Sequence, residues 1–344
     1  MACGAFTVAR QHYNGAMPLA SILVPMRNAE PYVGAALASL LREDVDVEII
    51  VIDDHSSDAS AAIVRACADP RVAMLEGPGR GISAALNAGL ARARAPVLMR
   101  CDADDLYPTG RILAQVQWLQ RNPAFVAVCG GFSAIDEQGR LVAQLPTGLA
   151  PEELTAELQQ GLTRTTLCAF AMRTDLVRRI GGFREYFVTA EDIDLQLRLA
   201  RQGRVMYLPG DCYRYRLHER SITHTQARTQ RLHYEGVARQ LQRQRQPDGR
   251  DSLDLGLEAP VPVPTEADGA TLHILGFIEG AAWAAHAQGR KLESLQIAWR
   301  ALRYRPFSVH PWRTLLALLL KPARAARAPE RPRMRSGGSE SMQR

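Results

Sequence analysis

Through the first third of the chain, short apolar runs alternate with stretches whose apolar residues recur at helical spacing. Residues 20–24 form an apolar strand stopped by Pro25, and 32–41 place Val33, Leu37 and Leu40 on one helical face. Residues 47–52 are β-branched, as strands buried on both faces of a parallel sheet are, and they end in Asp53-Asp54. Ser57 predicts the N-cap of a helix that runs to Ala68 and is stopped by Pro70. A third strand at 72–75, a third helix at 82–93 and a fourth strand at 97–101 complete the run. Such alternation with short connections predicts right-handed βαβ units, and hence an α/β fold with a doubly wound, mostly parallel sheet flanked by helices.

Beyond Asp105 the pattern loosens. A helix is predicted over 112–119, a strand over 125–132, a hairpin around Asp136-Glu137-Gln138-Gly139, a helix over 151–160, an apolar strand over 166–172 and a short helix ending near Gly181-Gly182. Residues 189–200 carry two periods at once. Ile193, Leu195, Leu197 and Leu199 alternate as in a strand, whereas Thr189 with Asp192 three residues on resembles a capping box and Gly203 closes a helix. The caps favour the helix. Residues 226–246 read as an exposed or partly packed helix, 247–269 as a linker without period, and 272–286, 291–304 and 312–320 as further helices. The expected plan is an N-terminal extension (1–17), an α/β domain (18–225), a helix and linker (226–270), a small helical C-terminal region (271–322) and a basic disordered tail (323–344).

With 344 residues, 47% hydrophobic and 23% charged, the chain is globular in composition and long enough for one large domain with an appendage. No apolar run approaches the roughly 20 residues that cross a bilayer. Residues 1–16 carry Arg10 and His12 where a signal peptide has its apolar segment, which predicts a cytoplasmic protein, with Met17 as an alternative start. Six scattered cysteines without Cys-x-x-Cys spacing predict reduced thiols. Much of the net charge of +6 sits after residue 226. Trp312 through Leu320, followed by Lys321, Arg324, Arg327, Arg331, Arg333 and Arg335, has the make-up of a basic amphipathic anchor for peripheral contact with the inner face of the cell membrane. Packing on the α/β domain is the other reading. Without aromatic interleaving or a reader motif, the arginines predict no nucleic-acid partner.

The fourth strand drives straight into Asp102, Ala103, Asp104 and Asp105. If strand geometry persists, Asp102 and Asp104 turn their carboxylates to one side, a seat for a hard divalent cation such as Mg2+ or Mn2+. Asp105 then points away with Ala103 and caps the helix that begins near Pro108. An acidic turn is the alternative. Ligands of doubly wound sheets bind at the carboxyl ends of the strands, where both Asp53-Asp54 and Asp102-Ala103-Asp104 fall. Gly77-Pro78-Gly79-Arg80-Gly81 is not a dinucleotide fingerprint, because its spacing is Gly-x-Gly-x-Gly and it follows the third strand rather than the first. Either Arg80 reaches a ligand phosphate from it or it is a plain loop. Asp192 at a helix start is either a capping residue or an ionised carboxylate facing a cleft.

Four stretches share a wider resemblance: residues 21–28 (Ser-Ile-Leu-Val-Pro-Met-Arg-Asn), 48–58 (Glu-Ile-Ile-Val-Ile-Asp-Asp-His-Ser-Ser-Asp), 80–90 (Arg-Gly-Ile-Ser-Ala-Ala-Leu-Asn-Ala-Gly-Leu) and 100–105 (Arg-Cys-Asp-Ala-Asp-Asp). In order and spacing they resemble the family 2 glycosyltransferases of GT-A fold, over residues 18–225. The resemblance implies that Pro25 and Asn28 line a nucleotide, that Asp54 binds its base, and that Arg80 and Asn87 belong to the nucleotide-sugar site. It also implies that Asp102 and Asp104 hold Mn2+ or Mg2+ on the sugar diphosphate. Glu191-Asp192 matches the family's Glu-Asp motif, which makes Asp192 the base. Tyr215-Arg216-Leu217-His218 resembles its closing Tyr-Arg-x-His segment, so that Arg216 meets the diphosphate and His218 adds a metal or phosphate contact. A basic surface strand is the alternative there. Leu167-Cys168-Ala169 stands where relatives often carry His-Pro-Ser, which leaves the acceptor side unspecified. The Gln-x-x-Arg-Trp signature of processive synthases is absent, so single addition is expected.

The expected protein is therefore a metal-dependent inverting glycosyltransferase. It moves a sugar from a nucleotide-diphosphate sugar, expected to be UDP-linked, to a hydroxyl of a glycan or lipid-linked acceptor in cell-surface polysaccharide or glycolipid synthesis. A leaving diphosphate needs its developing charge neutralised, and a cation held by acids does this. The alternatives are another nucleotide-dependent enzyme, such as a nucleotidyltransferase, and a non-catalytic membrane- or partner-binding protein on a transferase fold.

Overall fold

The computed structural model describes residues 17–145, 150–218, 228–245, 250–257, 278–302 except 281, 284 and 288, and 309–322. Residues 1–16, most of the expected linker and the tail at 323–344 lie outside the described residues. The chain divides into two compact units, residues 1–277 and 278–344.

Four parallel strands open the larger unit. β1 (Ala20–Met26), β2 (Val47–Asp53), β3 (Val72–Glu76) and β4 (Val97–Arg100) lie in the order β3-β2-β1-β4, and α1 (Val33–Leu41), α2 (Ser60–Ala66) and α3 (Ile82–Arg92) fill the crossovers. The chain reverses its direction of travel across the sheet between β1 and β4, the place where such sheets open a crevice at their carboxyl ends. Successive strand residues feed two apolar layers. Ile22, Val24, Ile49, Val51 and Met99 share one with Leu37 and Leu40 of α1 and Ile112 and Val116 of α4 (Arg111–Arg121). Leu23, Ile50, Ile52 and Leu98 share the other with Leu86 and Leu90 of α3. Burial on both faces is why β1, β2 and β4 are so largely apolar.

The second half of the sheet is mixed. β8 (Ala171–Arg173) lies antiparallel between β4 and β5 (Phe125–Ile135), and β9 (Arg204–Arg216) runs parallel to β5. β6 (Leu141–Leu145) and β7 (Glu152–Glu153) pair antiparallel with β5 and β9. α5 (Thr155–Gln159), α6 (Thr174–Arg179), α7 (Glu191–Gln202) and α8 (Arg228–Gln244) complete this unit.

Several local expectations are corrected. Ser57 does not cap α2, which begins behind Ala59; Asp58 accepts from the Ser60 amide at 3.0 Å, while the Ser57 amide and hydroxyl go to Asn28. Residues 166–172 are not one strand, because Thr166 opens a single 3-10 turn, Leu167–Ala169, before β8. Thr189 does not cap α7; its N-cap is Ala190, held in the left-handed conformation at φ 64°. The competing periods of this helix have a simple cause: Glu191 and every residue from Asp194 to Ala200 are buried, so it is enclosed on several faces.

α8 packs Tyr234, Val237, Ala238 and Leu241 against Phe187 and Ala190. Residues 250–257, expected within the linker, are docked by charge. Buried Asp251 pairs with Arg184 at 2.8 Å and Arg245 at 2.7 Å, and Arg184 also reaches Asp194 of α7 at 3.2 Å. In the smaller unit, α9 (Lys291–Ala301) and α10 (Val309–Leu320) pack together and bury Ile297, Ala298, Leu315 and Leu318. Among the described residues no helix is long and apolar enough to cross a membrane.

Candidate active site

The crevice is a pocket of about 480 Å³. Loops after β1, β2 and β4 form one wall. Asn28, at φ 52°, accepts from the Ser57 amide at 2.8 Å, and its own amide donates to Ser56 Oγ at 3.0 Å, which ties the β1 loop to the β2 loop. Asp54 is buried, with Oδ1 accepting from the Gly79 amide at 2.7 Å and Oδ2 from the Gly81 amide at 3.3 Å. The glycine loop is thus built around this carboxylate. A Cβ at Gly77 would lie 2.7 Å from Asp54 Oδ1 and 2.9 Å from its Cα, so no larger residue fits there.

β4 ends at Arg100, and the acids that follow sit on a turn closed by a 3.1 Å bond from the Asp105 amide to the Asp102 carbonyl. Strand alternation therefore does not carry through them. Asp102, Asp104 and Asp105 all border the pocket. Asp105 is not the cap of α4, whose N-cap is Gly110; it is buried and accepts from the Tyr213 hydroxyl and the Arg216 amide, each at 2.6 Å. Burial, with Asp104 and Asp102 beside it, pushes its carboxyl well above the usual range in spite of those donors. The Tyr213 oxygen also accepts from the Asp102 amide at 3.0 Å, so one phenol clamps both ends of the turn.

The sequence reading passes over Arg100, although a cation closing an apolar strand is itself a signal. Its buried guanidinium forks. Nε and Nη2 donate to Asp102 at 2.6 and 3.2 Å, and Nη1 donates to Glu191 at 2.9 Å. Glu191 and Asp192 open α7, where acids complement the helix dipole. Asp192 is half-buried, and desolvation followed by the Glu191 charge pushes its carboxyl up to about 7, with Arg100 opposing. A carboxyl poised there suits a general base at neutral pH.

His218 Nε2 lies 2.8 Å from Asp104 Oδ2. The Asp102 and Asp104 side chains keep 28% and 26% exposure, so carboxylate lone pairs remain available. Hard oxygen donors of this kind fit Mn2+ or Mg2+ sharing its other positions with phosphate and water. Among the described residues no group of three or more His, Cys, Asp or Glu side chains converges to hold a metal ion by itself. Cys168, in the stretch where His-Pro-Ser is missing, also borders the pocket; its thiol is 3.7 Å from Asp102 Oδ2, and burial raises it well above its ordinary range.

Pro25, Asn28, Asp54, Asp102, Asp104, Asp192 and His218 are thus brought to one pocket. Arg80, Asn87 and Arg216 stand outside its lining. Arg80 pairs with Glu185 at 3.0 Å. Asn87 grips the Phe183 backbone through both amide atoms, at 2.6 and 2.8 Å. Arg216 is buried, its Nε donating to the Asp104 carbonyl at 2.6 Å and Nη1 to the Asp136 and Glu137 carbonyls at 3.0 and 2.8 Å. Tyr215 of the Tyr-Arg-x-His segment joins the wall, as do Tyr32, Phe132, and Arg231 and Glu235 of α8 from positions that no motif marks.

Residues 21–181 match the model of Glycosyl transferase family 2. This segment belongs to glycosyl transferase family 2. The chain is 29% identical over 218 residues to the uncharacterised glycosyltransferase EpsJ of Bacillus subtilis, covering 60% of this chain and 63% of that protein. It is 26% identical over 236 residues to the chondroitin synthase of Pasteurella multocida, covering 67% and 24%. With the succinoglycan biosynthesis protein ExoU of Rhizobium meliloti, identity is 34% over 135 residues, covering 37% and 38%. Each match spans less than two thirds of the relative. Among solved structures, residues 1–349 of S. aureus TarS in complex with UDP-GlcNAc superimpose with a TM-score of 0.54 at 15% identity, over 87% of this chain and 88% of that one. The glycosyltransferase segment therefore shares that α/β fold.

Proposed function

We propose that the chain is a metal-dependent inverting glycosyltransferase that moves a sugar from a UDP-linked donor to a hydroxyl of a glycan or lipid-linked acceptor in cell-surface polysaccharide or glycolipid synthesis. The observation that carries the proposal is one pocket holding Asp102 and Asp104 at the end of β4 and Asp192, with its carboxyl near 7, at the start of α7. The chondroitin and succinoglycan relatives support the polysaccharide setting, and a fold shared with a structure holding UDP-GlcNAc supports the donor class.

In this reading Pro25, Asn28 and Asp54 shape the nucleoside end of the pocket, and Asp102 and Asp104, with His218 alongside, hold Mn2+ or Mg2+. The bound cation neutralises charge developing on the leaving diphosphate. Asp192 accepts the proton of the acceptor hydroxyl as its oxygen bonds to the anomeric carbon opposite the breaking bond to the diphosphate, and that displacement inverts the anomeric centre. Arg100 keeps Asp102 and Glu191 neutralised beside that base. Arg216 fixes the backbone of Asp104 from behind.

Thermal stabilisation by a panel of nucleotide sugars, with and without Mn2+, tests the reading. One nucleotide class should stabilise the protein, with Mn2+ required and the effect lost in Asp104→Ala. No stabilisation by any nucleotide sugar would reject it, and release of pyrophosphate rather than nucleoside diphosphate during turnover would point to nucleotidyl transfer.

A further inference from the structure

α10 has two apolar faces. Pro311, Thr314, Leu315 and Leu318 are buried, whereas Val309, Trp312, Leu316, Leu319 and Leu320 stand exposed. With 3.6 residues per turn the exposed set falls within one arc of about 100°. Folding of the helix needs only the first face. α9 widens the second: Leu292 and Trp299, seven residues apart and so on one side of that helix, are exposed too. The Trp299 and Trp312 rings meet edge to face at 6.2 Å and join the two helices into one apolar surface. Leu292, Val309 and Leu320 are 79%, 70% and 75% exposed. Of the fourteen large hydrophobic side chains exposed among the described residues, these seven lie between 292 and 320. Scattered exposed leucines need no explanation, but a contiguous set with paired indoles does.

Charge and side-chain type select the occupant. Arg313 flanks the arc and exposed Lys321 follows it. Lys291 Nζ donates to the Leu319 and Lys321 carbonyls at 2.9 and 3.1 Å, which brings a further cation to the end of α10. Residues 321–335 hold six lysines and arginines against Glu330 alone. Indole rings favour the headgroup boundary, leucines the acyl edge below it, and clustered cations an anionic leaflet. A second copy of the chain would set these cations against each other.

We propose that the smaller unit docks on the surface of an anionic lipid bilayer through the joined apolar face of α9 and α10, as a peripheral contact and not a span. Docking itself requires no transfer activity. Only its use, bringing the enzyme to a lipid-linked acceptor, rests on the proposed function.

The test is co-sedimentation of the full-length protein with vesicles of phosphatidylcholine alone or mixed with phosphatidylglycerol. The protein should bind the mixed vesicles, bind them less as salt rises, and bind neutral ones weakly. Its tryptophan emission should shift to the blue on binding. Leu316→Glu, at the centre of the exposed arc and clear of the core, should lower partitioning roughly tenfold or more, as expected for removing one leucine from the apolar phase. The double variant Trp299→Ala, Trp312→Ala should weaken binding and abolish the emission shift. Asp192→Asn should bind as the wild type, so failure of the transferase reading leaves docking intact, and failure of docking leaves that reading intact. The proposal is overturned if the wild type ignores mixed vesicles, if Leu316→Glu binds as well as the wild type, or if the face instead holds a dimer that Leu316→Glu splits.

Discussion

The two walls of the pocket are built by different means. The wall after β1, β2 and β4 takes Asn28, Asp54 and Asp102 from short stretches beside parallel strand ends; loop-to-loop hydrogen bonds fix the first two, and Arg100 and Tyr213 fix Asp102. The facing wall gathers Cys168 from a 3-10 turn, Asp192 from a helix, Tyr213 and Tyr215 from β9, and Arg231 and Glu235 from α8. Helix packing and buried ion pairs hold that one. The first wall is therefore vulnerable to added volume and the second to lost charge.

Asp192→Asn separates the walls most sharply. Transfer should fall by about three orders of magnitude, while melting experiments still show stabilisation by donor and Mn2+; loss of both would mean that the walls do not act separately. Arg100→Ala leaves Asp102 and Glu191 without their shared cation and should lower stability by about 3–5 kcal/mol in urea unfolding. Arg100→Lys should recover only part of this, because an ammonium cannot reproduce the fork. Gly77→Ala forces a Cβ onto Asp54 and should cost about 1–3 kcal/mol, with the pH profile of transfer unchanged.

The pH dependence of transfer reports the second wall. kcat/KM should rise with pH through about 7 as Asp192 ionises. Because folding raises this carboxyl, its contribution to stability is full below the usual carboxylate range and is lost as pH rises through about 7; the melting temperature should carry that slope, and Asp192→Asn should reduce it, leaving the part of the same sign that buried Asp105 contributes. Arg80→Ala should change least, roughly 0–1 kcal/mol for an exposed pair, since Arg80 and Glu185 meet at the surface.

The same contrast decides what the sequence makes legible. Strands β1, β2 and β4 declare themselves because both faces are buried, and Asp54 and Asp102 can be found because each lies beside its strand end. Asp105 is misread because a turn, not an extended strand, follows Arg100, and nothing local to Cys101 announces where the strand stops. The Arg100–Glu191 pair joins residues 91 positions apart, a separation that no local pattern encodes. Thr189 and Ser57 are reasonable caps on propensity alone, but the helices begin later, behind Ala190 and Ala59, and Ser57 is claimed by Asn28 of the β1 loop. Arg231 and Glu235 lie on a polar helix beyond the family match and reach the pocket only through its packing on α7.

Arg100 spans both walls from a rigid base, with Tyr107 donating its hydroxyl to the Arg100 carbonyl at 2.7 Å. The separation between the proposed diphosphate-holding acids and the proton acceptor is thus gauged by a side chain rooted in the sheet, rather than by the loops around the opening. Those loops can be lengthened, shortened or exchanged to receive a different acceptor without resetting that gauge.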